Sequence, residues 1–163
     1  MLLYLVVFIF TGAFLTLLGY GVHWSFHQKW SGTFYRRHYD HHFLQYPITD
    51  LLSDTYRNPG KGNNSVWLFA ICFSPFVIGT LLITIFGIIP LGIGIMVFIE
   101  MAIISFINDN LHDAFHIRKT FWARFSFFKR LRRLHFLHHQ NTQRNFGIFS
   151  FAWDRLFGTY NNK

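Results

Sequence analysis

This 163-residue chain predicts an all-α polytopic membrane helical bundle of about three spans, with a helical cap at one end. Three observations carry that expectation: long uncharged apolar blocks, basic residues confined to two segments, and histidines gathered into four clusters. Hydrophobic residues make up 52% of the chain and 22 residues are Phe, yet the formal net charge is +8. Such a chain places its apolar surface in lipid and keeps a basic face in water. Residues 1–163 read as one membrane domain.

The first span comes from Met1 to Tyr20, which holds no charged side chain. At about 1.5 Å per residue it crosses a hydrocarbon core of about 30 Å. A cleavable signal peptide is the competing reading. The segment lacks a basic start and a small-residue cleavage pattern before His23, so a retained span is expected. A second apolar block, Val66 to Ile107, is broken only by Glu100 and is long enough for two spans. Gly87 to Pro90 interrupts it as a hairpin turn, giving spans near Val66–Phe86 and Leu91–Ile107, the second continued by polar helix. Glu100 precedes His112 by about 18 Å of helix axis and about a third of a turn, so it is a poor ligand; a contact between spans is its expected role.

All 15 Lys and Arg lie between Gln28 and Lys61 or from Arg118 onward, which assigns both segments to the cytoplasmic side. Three spans then leave the N-terminus and the hairpin turn outside and every histidine inside. Tyr46–Asn64, with Pro47, Pro59, Gly60, Gly62 and three Asn, reads as a cytoplasmic loop with at most a short helix around Leu51–Tyr56. Further on, Phe121, Trp122, Phe125, Phe128 and Leu131 recur at helical spacing among Arg124, Lys129, Arg130, Arg132 and Arg133. That segment suits either the membrane interface or the buried face of a cap with a solvated basic edge. A basic run without a recognition motif in a membrane chain argues against nucleic acid. The lone Cys72 allows no internal disulfide.

The histidines carry the chemistry. All ten fall in HWSFH, HYDHH, HDAFH and HFLHH: His23/His27, His38/His41/His42, His112/His116 and His135/His138/His139. A pair spaced i, i+4 and a triplet spaced i, i+3, i+4 thus occur twice in one order. Residues at such spacings share a helix face, so each cluster is expected to aim its imidazoles at one point. A lone pair of this kind is usually a packing feature, and a proton relay or a histidine-rich surface are the bland readings. Four clusters with nothing left over point instead to metal. Imidazole suits iron, zinc, copper and nickel, whereas magnesium and calcium would call for carboxylates. Ten ligands exceed one ion, and two ions at about five nitrogens each is the natural division, a dimetal site in the cap. The Glu of H-E-x-x-H is missing from all four clusters, which excludes a zinc-protease reading. Asp40, Asp109, Asp113 and Asp154 are candidates for orienting the imidazoles and offsetting charge, with helix capping or solvation as the competing roles.

The order H-x3-H, H-x2-HH, H-x3-H, H-x2-HH, closed by NFGIFSFAWDRLFGTY, resembles the fatty acid hydroxylase and sterol desaturase superfamily, over His23 to Tyr160. The resemblance implies an integral-membrane di-iron oxygenase that uses dioxygen and an external electron donor on fatty acyl, sterol or related lipids. It implies two iron ions held by all ten histidines, with zinc able to replace them in recombinant material. Asn145, Gly147, Trp153, Asp154 and Gly158 match the family tail, with a packing role near the site. No haem-domain, flavin or G-x-G-x-x-G pattern is present, so electrons are expected from another protein, such as a ferredoxin or a cytochrome with its reductase, drawn by the basic face. Three spans are fewer than the four common in the family, which a homodimer could offset. The bacterial cytoplasmic membrane or the endoplasmic reticulum is the expected location. Carotenoid-ring hydroxylation and sterol or lipid desaturation are alternatives of the same chemistry. A metal permease would need ionisable groups along the spans, where only Glu100 qualifies, and a non-catalytic metal-bound scaffold is the third class.

Overall fold

A computed structural model describes residues 2–57 and 68–163, and the part of the expected loop from residue 58 onward lies outside them. The described residues form helices, with one isolated parallel bridge, Ser53 to Ile117, in place of any strand. Helix α1 spans Leu2–Phe26 and α2 spans Thr33–Asp40, continued by a π-helical turn, His41–Gln45. Then come α3 (Leu68–Ile85), α4 (Leu91–His116), α5 (Ser126–Gln140) and the short α6 (Ala152–Leu156). Single 3₁₀ turns precede α2 and α5, at Lys29–Ser31 and Phe121–Arg124.

Helices α1, α3 and α4 are each long and apolar enough to cross a membrane. Their outer surfaces suit lipid: Leu2, Phe10, Ile85, Leu91 and Phe106 on the helices, and Phe86 just past α3, are all widely exposed. The first span runs past Tyr20 to Phe26, and the third continues unbroken through the polar residues to His116. The turn expected at Gly87 to Pro90 is present, with Gly87 at φ +71° and Pro90 preceding the first residue of α4. Inside α3, Pro75 removes one backbone donor, and the carbonyl of Ile71 accepts from Ser74 Oγ instead, at 2.7 Å.

Close contacts give the helix directions. A Cβ on Gly92 would meet Tyr4, one on Gly12 would meet Glu100, and one on Gly19 would meet Asn108, so numbers rise together and α1 and α4 run parallel. Small residues let the two backbones approach, as membrane packing requires. Glu100 is buried against α1 at Gly12, the contact between spans that the sequence suggests. Parallel α1 and α4 deliver His23/His27 and His112/His116 to the same end of the bundle. The core threads from Leu15, Phe73 and Met101 between the spans to Phe115, Phe128 and Ile148 beneath the cap.

Two clasps close the cap onto that end. Arg132 of α5 donates to the carbonyls of Ala114 and Ile117 at 2.9 and 2.8 Å, satisfying the C-terminus of α4. Ser53 takes the His116 carbonyl at 2.9 Å and offers its own to Arg118 N at 2.8 Å. This pairing replaces the short helix expected around Leu51–Tyr56, because extended chain there presents its backbone to the C-terminal end of α4. The tail returns along α1, where Trp153 Nε1 donates to Thr16 Oγ1 at 3.0 Å and Tyr20 packs between Phe146 and Phe157.

Candidate metal centre

The histidines converge on two adjoining groups. His23, His27, His38, His42 and His138 each bring a ring nitrogen within 4.8 Å of the others; His41, His112, His116 and His135 do the same. His139 belongs to neither set, yet its ring stacks on His42 at 4.0 Å and lies 4.7 Å from His116. The groups abut, with His41 and His42 ring centroids 5.4 Å apart. Nine of the ten side chains are buried and His27 is half-buried.

Each triplet is split rather than aimed at one point, which corrects the sequence expectation. Around a helix, the first and last residues of H-x2-HH lie about 40° apart, while the middle one lies about 60° away on the other side. The middle His41 therefore leaves His38 and His42 for the second group, and the middle His138 leaves His135 for the first. Each group is completed by the middle histidine of the other group's triplet. The π-helical turn, whose Tyr46 N bonds to His41 O at 3.0 Å, begins at this crossing point.

Backbone carbonyls set the tautomers. Nδ1 of His23 donates to Phe146 O and Nδ1 of His138 to Arg144 O, both at 2.6 Å. Nδ1 of His139 donates to Tyr46 O and Nδ1 of His116 to Leu51 O, both at 3.0 Å. With Nδ1 protonated, a neutral ring presents a bare Nε2 lone pair inward. Burial keeps the rings neutral: it lowers His27 to about 4 and His139 to about 3, and holds His38, His41, His42, His135 and His138 well below the ordinary range.

The residues fit transition-metal ions. Nε2 separations are 3.1 Å for His23–His38, 2.9 Å for His27–His38, 3.1 Å for His38–His42, 3.0 Å for His27–His138 and 2.9 Å for His116–His135. Two imidazole nitrogens in adjacent positions around one ion, each roughly 2.1 Å from it, sit about 3 Å apart. A shared proton can satisfy one such contact but not five nitrogens facing one point. Nε2 of His41, His112 and His139 is buried with no hydrogen-bond partner among the described residues, the state expected of an atom kept for coordination.

The acidic candidates divide. Asp113 lies beside the second group, Oδ1 3.8 Å from His112 Nδ1, and Tyr56 reaches both Asp113 and, at 3.4 Å, His41 Nδ1. Asp109 instead accepts Phe69 N and Ala70 N at 3.0 and 3.3 Å, tying α4 to the first turn of α3. Asp154 acts one step removed: it accepts Phe146 N, Gly147 N and Thr159 Oγ1 at 2.7, 2.8 and 2.8 Å, fixing the loop whose carbonyl orients His23. Asp40 makes no contact with a histidine nitrogen among the described interactions. Asn145, at φ +56°, holds the same loop through the carbonyls of Leu134 and Asn161. Gly147 leaves no room for a Cβ, which would lie 2.2 Å from Ser150 O. Tyr46, absent from the sequence candidates, is fully buried and stacks on His116 at 4.0 Å. No spacing signal marks it.

Three apolar helices capped by paired all-nitrogen groups define a polytopic membrane protein with a histidine-rich cluster fit to hold metal ions. The fatty acid hydroxylase family model matches residues 6–159, and the chain belongs to that family. No curated protein and no solved structure matches the chain.

Proposed function

We propose that the protein is a membrane-bound di-iron oxygenase that hydroxylates a lipid, with all ten histidines as metal ligands. The observation that carries this reading is the pair of abutting imidazole groups at the end of membrane spans. Iron in that site supplies what zinc cannot, redox chemistry with dioxygen at an unactivated C–H bond. The net conversion consumes a C–H bond, dioxygen, two electrons and two protons, and yields the alcohol and water. Desaturation, or oxidation of a carotenoid ring, would draw on the same ligand set.

The chain's own residues prepare the site. Phe146, Arg144, Tyr46 and Leu51 hold four imidazoles in the ligating tautomer through their carbonyls, and Asp154 and Asn145 fix one of those loops. Phe26, Leu68 and Phe69, with Asp109, wall a narrow cleft beside His23, His38 and His112, and the apolar side chains there disfavour water. An apolar groove of about 330 Å³ between the spans, lined by Phe14, Phe76, Val97 and Met101 among others, has the chemistry to take an acyl chain. Glu100 packs against Gly12 rather than along an aqueous path, which weakens a permease reading. Cytoplasmic histidines, a soluble acidic electron donor on the basic face and a homodimer complete the proposal; a reductase-coupled rate indifferent to ionic strength would count against the donor.

The test is expression with iron and an electron donor, followed by mass spectrometry of the host lipids. Gain of one oxygen supports hydroxylation, loss of two hydrogens assigns desaturation, and unchanged lipids from an iron-loaded protein reject the enzyme reading.

A further inference from the structure

A second cavity, of about 640 Å³, lies between the start of α5 and the tail, and no histidine lines it. Two arginines stand on it, Arg130 from α5 and Arg155 from α6, with the hydroxyls of Ser126 and Ser150. Leu131, Leu134 and Phe151 form an apolar floor, and Phe127 and Phe149 expose their rings beside it. No carboxylate lines the space. The nearest in sequence, Asp154, is buried and committed to Phe146 N, Gly147 N and Thr159. What the two guanidiniums do meet is Tyr160: Arg155 lies 4.6 Å over its ring, and hydrogen bonds from Arg155 and then Arg130 hold the phenol below its ordinary range. No lining carboxylate offsets the two guanidiniums.

The cavity's position narrows the occupant. Helix α6 rides on the first span, through Trp153 to Thr16 at 3.0 Å and Phe157 against Tyr20 at 5.4 Å. It therefore lies beside Thr16 to Tyr20, the last turn of the charge-free stretch of α1 before His23, near the depth where acyl chains give way to headgroups. Leu156 and Phe157, next to Arg155, are 69% and 53% exposed, as side chains entering that boundary would be. Paired guanidiniums suit phosphate oxygens, and an apolar floor has no use for a free inorganic ion.

We infer that this cavity seats one anionic phospholipid, its phosphate between Arg130 and Arg155 and its first acyl carbons on the apolar floor. The site draws on the membrane setting and not on the oxidation chemistry, so it can stand or fall separately from the proposed reaction.

The full chain would be placed in phosphatidylcholine nanodiscs containing a minor share of phosphatidylglycerol, and lipid retained after detergent release read by native mass spectrometry. The wild type should retain phosphatidylglycerol preferentially, and Arg130→Gln with Arg155→Gln should cut that retention about tenfold or more. Lys119→Gln with Arg124→Gln removes the same charge elsewhere on the cap and should change it less than about twofold. Equal losses in both pairs would mean general surface attraction and overturn the site, as would undiminished retention in the arginine pair. Glycerol phosphate competing as well as short-chain phosphatidylglycerol would make the ligand a free phosphate and overturn the lipid assignment. If the double variant melts early through loss of the Tyr160 contact, Arg130→Gln alone should still lower retention about threefold, and no change there rejects the proposal.

Discussion

Four histidine Nδ1 atoms are spent on backbone carbonyls, and that decides what their other nitrogens offer. His138 belongs to the first group and joins it to α5, so His138→Ala should strip the ion from that group, leave about one metal per chain by elemental analysis, and abolish oxidised product. Asp154→Asn turns one acceptor into a donor facing backbone N–H groups and loosens the loop behind His23. Its metal affinity at the first group should fall about 10- to 100-fold in chelator competition while the second group holds; equal loss from both would deny that selective role. Acid should act on the metal-free protein in a defined direction. A histidine buried neutral takes up its proton more readily when unfolded, so stability should be flat above about pH 6.5 and fall below it, down to about 4 for His27 and about 3 for His139. Thermal melting across that range checks the sign. The ten histidines are legible by residue type alone, and the splitting of the triplets follows from the helical angle of the middle residue, which residue type does not display. The carbonyl partners are not legible, because Leu51, Tyr46, Arg144 and Phe146 offer only peptide groups, which every residue has.

At the scale of elements, hydropathy and turn chemistry located the spans and the hairpin between α3 and α4, since lipid leaves the backbone few alternatives to a helix. Where tertiary pairing competes with local preference, sequence said less. The segment around Ser53 is extended because the end of α4 supplies its hydrogen bonds, and Asp109 serves α3 rather than a histidine because the first turn of α3 presents free N–H groups to it. Helix packing makes its own prediction. A Cβ on Gly94 would lie 2.2 Å from Thr84 Oγ1 and 2.9 Å from Thr84 Cβ, a short β-branched side chain that cannot swing away. Gly94→Val should wedge α3 from α4 and cost about 1–3 kcal/mol in detergent unfolding. Gly79 faces open space, and Gly79→Val should stay within about 0.5 kcal/mol of the wild type; equal effects at both sites would show that the hairpin is not closely packed there.

For the whole molecule, the parallel run of α1 and α4 places all four histidine clusters at one end, and the confinement of the described Lys and Arg to the same end supports a cytoplasmic orientation. A cysteine introduced at Ile89, in the turn between α3 and α4, should react with an impermeant maleimide on intact cells, and one introduced at Arg144 only after permeabilisation. The reverse pattern would invert the topology and take the site away from a cytoplasmic electron donor. The proposed reaction depends on what the two imidazole groups hold. The most direct measurement is the iron content of the full chain, purified in mild detergent from iron-fed cells and shown by circular dichroism to be helical. Two irons per chain is the expected result; a fully helical chain carrying no bound metal would contradict a di-iron centre.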